Sequence, residues 1–298
     1  MRSLSWGCPL LLICTVHGDQ SRLSATVSND NYRTYIVDKC HYNVTMPAVY
    51  AVFASHQVEW NSMGKHMPWW SVLTGLPKTA DVSEHTKAEF YESGVQHVTG
   101  IARSAHLNDK MVLDFGCGLG RLAFAFANTF NSRVTCVDQS VHHLSIAQAE
   151  WARRKTSGTV EFVVSGPDLL SSMTLKQFDF VHSVIVLQHM VPALQTVYLE
   201  QMCDLLAPGG KGWIQIPHKT EDPGCDLDES VRNGGMQMHS TPIYAIKNLF
   251  RRRGCRARVE DVGNAFVGGT GVSLASAIVT ITKLQSVPST RGRGRHLS

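Results

Sequence analysis

Ten residues, Met111 to Gly120 (MVLDFGCGLG), constrain the fold of this 298-residue chain more than any other stretch. A short apolar run carries an acid, Asp114, near its end. Gly116, Gly118 and Gly120 then follow at alternate positions, leading into an apolar helical run, Leu119 to Phe130. The pattern reads strand, tight turn, helix. Glycine suits a backbone that turns sharply and must approach a ligand with no Cβ in the way. The helix behind it presents free N–H groups to an anionic or electron-rich group. The spacing is Asp-x-Gly-x-Gly-x-Gly rather than the G-x-G-x-x-G of dinucleotide loops, and Arg121-Leu122 stands where a phosphate-binding loop would have Lys-Ser/Thr.

From here the chain alternates. Strands are expected at Met111–Phe115, Val134–Val137, Val160–Val164, Phe178–Val184 and Gly212–Ile216. Between them lie a helix from Val141 to Lys155, capped by Ser140, and one starting at Pro192 with Leu194, Val197, Tyr198, Met202 and Leu205 on its apolar face, ended by Pro208-Gly209-Gly210. Short apolar strands separated by helices imply parallel pairing with both sheet faces covered. His218 to Ser240 breaks the rhythm and reads as a long insertion near the cleft. A helix from Thr241-Pro242 to about Arg253 and strands at Arg256–Val262 and Val272–Thr282 close the pattern. Upstream, Phe90, Gly94, Val98, Ile101 and Ala105 recur at helical spacing behind a Ser83 or Thr86 cap. Ala48 to Leu73 holds His56, Trp60, Asn61, His66, Trp69 and Trp70, residues that either cover a site or pack on the sheet edge.

Four segments together resemble the class I S-adenosylmethionine-dependent methyltransferases: DFGCGLGR, VTCVDQS (Val134 to Ser140), FDFVHSVIVLQHM and LLAPGGKGWIQIP. The resemblance runs from about Phe90 to Lys283. It implies an α/β fold: a doubly wound, seven-stranded, mostly parallel sheet of Rossmann-like type with a C-terminal antiparallel hairpin. The expected organisation is an N-terminal segment 1–45, a helical and aromatic cap 46–108, a cofactor domain 109–285 with the insertion 218–240, and a basic tail 286–298.

The implied cofactor is S-adenosyl-L-methionine and the implied partner a small-molecule methyl acceptor. By the same resemblance, Gly116, Gly118 and Gly120 let backbone lie along the methionine and ribose, and Asp114, beside Arg121, serves the methionyl amino group through water or the turn backbone. Asp138 ends the second strand, where two carboxylate oxygens match two vicinal ribose hydroxyls. Gln139 stands where the family has an apolar residue. Asp168 and Leu169 fall near the adenine, although Pro167 separates Asp168 from Gly166. His189 is a candidate general base, since histidine titrates near neutrality; alternatively Gln188 and His189 hydrogen-bond the cofactor. Trp60, Trp69, Trp70, His218 and His239 are candidates for the acceptor side. No metal is expected.

Composition narrows the partners. The net charge is only +4, and Arg291, Arg293 and Arg295 lie in the tail, so nothing demands a nucleic-acid or membrane partner. The run Arg251-Arg252-Arg253 reads as a solvated helix end. The Asn-Pro-Pro-Tyr tetrapeptide of base N-methyltransferases is absent. None of the eight cysteines forms a C-x-x-C pair; no disulfide framework is expected, and Cys117 and Cys136 read as small buried side chains. The apolar run Pro9–Val16 is too short to span a bilayer and has no clear cleavage pattern after it, so a cytoplasmic protein is expected, with targeting left open. Rival functions on the same fold are an aminopropyltransferase, a nicotinamide oxidoreductase or a non-catalytic cofactor-binding scaffold. The first wants paired acids around the cleft, for which Asp179 alone is poor evidence.

Overall fold

A computed structural model describes residues 32–37, 40–103, 105–154, 158–166, 173, 176–220, 236, 238–263 and 274–285. A hairpin of β1 (Tyr32–Val37) and β2 (Cys40–Thr45) leads into helices α1 (Met46–His66), α2 (Pro68–Val72) and α3 (Glu84–Ala102). The alternating part follows as β3 (Met111–Phe115), α4 (Arg121–Phe130), β4 (Arg133–Asp138), α5 (Val141–Ala152), β5 (Thr159–Val164), β6 (Phe178–Ser183), a single 3-10 turn at Leu187–His189, α6 (Pro192–Asp204) and β7 (Leu206–Thr220). Helix α7 (Ile243–Arg252) and strands β8 (Cys255–Gly263) and β9 (Leu274–Lys283) complete it.

The seven core strands lie in the order β5-β4-β3-β6-β7-β9-β8. The first five pair in parallel, and β9 runs antiparallel between β7 and β8. This is the doubly wound sheet with a terminal hairpin expected from the sequence. Strand order reverses between β3 and β6, and that switch point opens a crevice at the carboxyl ends of the strands.

Alternation along β3 shows why both faces are covered. Leu113 and Phe115 join a core built with α6 and α7, while Val112 joins a second core built with α3, α4 and α5. Leu113 and Val112 are both fully buried. Helix α3 crosses α4 closely at Gly94, where an added Cβ would stand 2.3 Å from the Arg121 carbonyl oxygen. Ser140 caps α5 as read from the sequence, its Oγ accepting from the His143 N–H at 3.2 Å.

Several local expectations are corrected. Helix α4 starts at Arg121 rather than Leu119, because Gly120 takes the left-handed N-cap conformation, φ 78°. Pro208-Gly209-Gly210 does not end before a strand; it lies within β7, where the pairing register to β6 shifts between Phe178 and Phe180. Strand β7 continues to Thr220, so 218–220 is sheet, while most of the expected insertion lies outside the described residues. Cysteines also pair: Cys117 with Cys136, Cα atoms 5.4 Å apart, and Cys203 with Cys255, 6.2 Å apart. The partners are 19 and 52 residues apart in the chain, and neighbouring elements of the fold bring them together. Arg253 is not wholly solvated, since it pairs with Glu200 at 2.6 Å and Asp204 at 3.4 Å. Among the described residues no helix is long and apolar enough to cross a membrane.

Two buried histidines, His56 and His239, and the partly buried His97 are held neutral by loss of solvent. Burial pushes His56 down to about 4. Burial, then His56 and His189, push His239 down to about 4. Burial, then His182 and Arg121, push His97 down to about 3. Each folded-state value lies below the ordinary histidine value near 6.5, so the unfolded chain takes up protons first as pH falls. Their stabilisation is complete above about pH 6.5 and is lost as pH drops toward 4 and below. Urea unfolding at pH 5 is therefore expected to give a stability at least about 2 kcal/mol below that at pH 7.5, and His56→Gln to flatten that dependence. Gly94→Ala is expected to cost about 1–3 kcal/mol in the same assay, because the clash is with backbone.

Candidate active site

The glycine turn after β3 is stitched to the end of β4. The N–H groups of Gly116 and Cys117 both donate to the Val137 carbonyl, at 2.7 and 3.0 Å. The Gly118 N–H donates to Asp138 Oδ2 at 2.9 Å, and the Ser140 N–H to Asp138 Oδ1 at 2.8 Å. The Cys117–Cys136 bond closes the same junction covalently. Gly116 and Gly118 have φ of 72° and 54°, a region that side-chain-bearing residues rarely adopt. A Cβ on Gly116 would also meet Val186 at 2.3 Å.

A pocket of about 820 Å³, its open mouth included, lies over this junction. Asp114, Gly116, Gly118, Arg121, Asp138, Gln139 and His189 line it, together with Trp60. Three of these residues hold buried polar atoms with no hydrogen-bond partner: Asp114 Oδ2, Arg121 Nε and Gln139 Oε1. Burial lowers Arg121, and the nearby Asp114 carboxylate opposes that shift. The Nδ1 of His143, also in the lining, is a fourth, and since buried polar atoms are normally satisfied, such orphans around one pocket point to a polar ligand.

The far wall comes from the N-terminal helices. Trp60 of α1 stands 5.2 Å from the His189 ring, centre to centre. Ser71 and Val72 of α2 also line the pocket. Side-chain bonds fasten this wall to α5 and the turn before it. Gln57 donates to the Gln139 carbonyl at 3.2 Å, Asn61 accepts from the Val141 N–H at 2.9 Å, and Ser71 Oγ meets His143 Nε2 at 2.7 Å. On the floor, Ile185 takes a left-handed conformation, φ 59°, rare for a β-branched residue. Its N–H donates to Gln215 Oε1 at 2.8 Å.

Other residues singled out in the sequence stand elsewhere. Gly120 caps α4 and faces Phe124 rather than the pocket. Gln188 is the buried middle residue of the 3-10 turn, its amide engaged with His189 and Gln215 at 3.3 Å each. Trp69 is core, 1% exposed and edge-on to Phe90 and Tyr91, and Trp70 lies under the Lys78 ammonium. His218 pairs with Asp261 at 3.1 Å on the outer hairpin. His239 is buried, its N–H donating to the Gln188 carbonyl at 2.7 Å, and it does not reach the pocket lining. Asp168 and Leu169 lie outside the described residues. Asp179 sits at the start of the central strand β6, at the amino end of the strands and away from the crevice, accepting from the Met111 N–H at 2.9 Å. The sequence reading missed Ser71, His143 and His182 as partners of the site, since only the fold brings them to it. Among the described residues no cluster of histidine, cysteine and acidic side chains suits a metal ion.

Comparison with known proteins agrees with this geometry. Residues 112–210 match the family model described as "Methyltransferase domain". The chain is similar to the O-methyltransferase cnsE of Penicillium expansum, 24% identical over 181 residues, covering 58% of this chain and 62% of that protein. It is also similar to the sterol 24-C-methyltransferase erg-4 of Neurospora crassa, 28% identical over 171 residues, covering 54% of this chain and 44% of that protein. The matched region thus spans under two thirds of the length of both relatives. Among solved structures, the magnesium protoporphyrin IX methyltransferase of Synechocystis PCC 6803, crystallised with bound S-adenosylhomocysteine (SAH), shares the fold. Its TM-score is 0.54 and its identity 18%, over 76% of this chain and 97% of that one. The motifs, the strand order and the family model converge on one stretch: residues 112–210 carry a methyltransferase domain, set in a sheet of the class I order.

Proposed function

We propose that this chain binds S-adenosyl-L-methionine in the pocket over the glycine turn and directs its methyl group to a small-molecule nucleophile. The observation that carries the reading is Asp138, whose carboxylate sits at the lip of that pocket, within hydrogen-bond distance of the glycine turn. Each of its oxygens accepts one backbone N–H and keeps further acceptor capacity for a ribose diol.

The residues present fit the cofactor. Asp114 Oδ2 is an unpartnered acceptor for an ammonium, Arg121 a donor for a carboxylate, and Gln139 Oε1 an acceptor for an exocyclic amine. The bare backbone at Gly116 and Gly118 leaves room beside them. When bound, the sulfonium supplies an activated methyl group and a neutral leaving group.

What the chain contributes is alignment and proton handling. Trp60 and His189 form the wall beyond the turn, where an acceptor would stand. We assign His189 as the base that takes the acceptor's proton. Its ring lines the pocket, whereas Gln188 faces the interior, so direct cofactor contact by the pair is the weaker reading. The relatives named as O- and sterol C-methyltransferases support a small organic acceptor. Asp179 is spent on the β3 backbone, which removes the acid that an aminopropyl donor site would have used.

Isothermal titration is expected to show binding of SAH by the wild type and its loss in Asp138→Ala; a wild type that does not bind ends this reading. With an acceptor found by labelled-methyl screening of metabolite extracts, His189→Gln is expected to lower kcat by about 100-fold or more while SAH still binds.

A further inference from the structure

Three neighbouring strands place Asp114, His182 and Trp213 in one register: Asp114 opposite His182 on β6, and His182 opposite Trp213 on β7. Residues so paired project from the same sheet face. His182 is fully buried there. Its ring stacks on Trp213 at 5.4 Å with a tilt of 12°, and Phe126 meets it edge-on at 5.3 Å.

The polar contacts of this ring run in one line. His182 Nδ1 lies 3.0 Å from Asp114 Oδ1. His182 Nε2 lies 3.4 Å from Nε2 of His97, which reaches down from α3 and packs edge-on against both His182 and Trp213. A carboxylate only accepts, so the Nδ1 proton sits between His182 and Asp114. In a neutral ring Nε2 is then the acceptor, and His97 donates to it. Burial keeps His97 neutral, which fits this order. The chain of bonds leaves one atom over: Asp114 Oδ2, on a residue 2% exposed that lines the pocket.

We infer that His182 is a positioning residue. By donating to Oδ1 it holds the Asp114 carboxylate with Oδ2 presented to the ammonium of the cofactor's amino-acid end, and His97 fixes the ring that does so. This rests on the cofactor reading above. It separates the roles of the two acids: Asp138 serves the nucleoside part, and the His97–His182–Asp114 line serves the amino-acid part. The bond to a charged group acts only on ligands that carry the ammonium.

Titration with two ligands tests it. SAH carries the amino-acid end, and 5′-methylthioadenosine has the nucleoside and sulfur without it. His182→Phe keeps the stacked ring and removes the donor. It is expected to weaken SAH by roughly 10- to 100-fold and 5′-methylthioadenosine by no more than about twofold. His182→Asn, which restores an N–H donor near the Nδ1 position, is expected to recover most of the SAH affinity. His97→Phe, which leaves the His182–Asp114 bond in place, is expected to show the same selectivity to a smaller degree, and supplies the contrast if His182→Phe does not fold. Equal loss of both ligands, no loss of either, or no recovery in His182→Asn overturns the proposal. A wild type that binds neither ligand overturns the cofactor reading itself, a result distinct from a wild type that binds both and variants that do not discriminate.

Discussion

The carboxylate of Asp138 holds together the parts on which the site depends. It ends β4, receives the Gly118 N–H of the turn after β3, and receives the Ser140 N–H where α5 begins. Two strands, a turn and a helix meet on one side chain. Hydrogen bonds to a carboxylate are worth more than neutral ones, about 1.5–3 kcal/mol each. Around it the Val137 carbonyl accepts two further N–H groups, and the Cys117–Cys136 bond lies just beneath. The turn therefore has little freedom to change shape.

That arrangement explains how much was legible in the chain. The β3 boundaries, Met111 to Phe115, match the expectation, because an apolar run closed by a glycine turn admits few readings. Asp138 was legible because an acid at a strand end facing a glycine turn has few alternatives. Its structural work, accepting two backbone N–H groups, was not, since side-chain partners follow from tertiary placement. The tryptophans show the same limit. Trp60 lines the pocket while Trp69, nine residues on, is core, and the sequence marks both only as aromatic. Nothing in the sequence marks His182 beyond its place in the strand Phe178–Val184, and its register with Asp114 appears only in the folded sheet. Cysteine pairing was missed for a related reason: chain spacing says nothing about which strands end up side by side.

The two faces of the sheet divide the labour. The α6–α7 face packs mainly through apolar residues such as Leu113, Phe178, Tyr198 and Phe250, with the buried Gln195 bonding the surrounding loops. The α3–α4 face carries a polar line through its aromatic core, from His97 to Asp114. Polar groups at that depth are costly unless they are satisfied, and a satisfied network is stiff.

The left-handed Ile185 has a consequence for how a ligand is held. Holding a β-branched residue in that conformation costs on the order of 1–3 kcal/mol, and the amide of Gln215 keeps it there. The floor is thus set before anything binds and offers no hinge. Across from it, α1 and α2 are tied to α5 and the turn before it by Gln57, Asn61 and Ser71, and are packed into the core through Val52, Phe53 and Trp69. A ligand in the crevice therefore lies between two braced walls, one fixed by a left-handed backbone and the other by buried aromatic and aliphatic side chains.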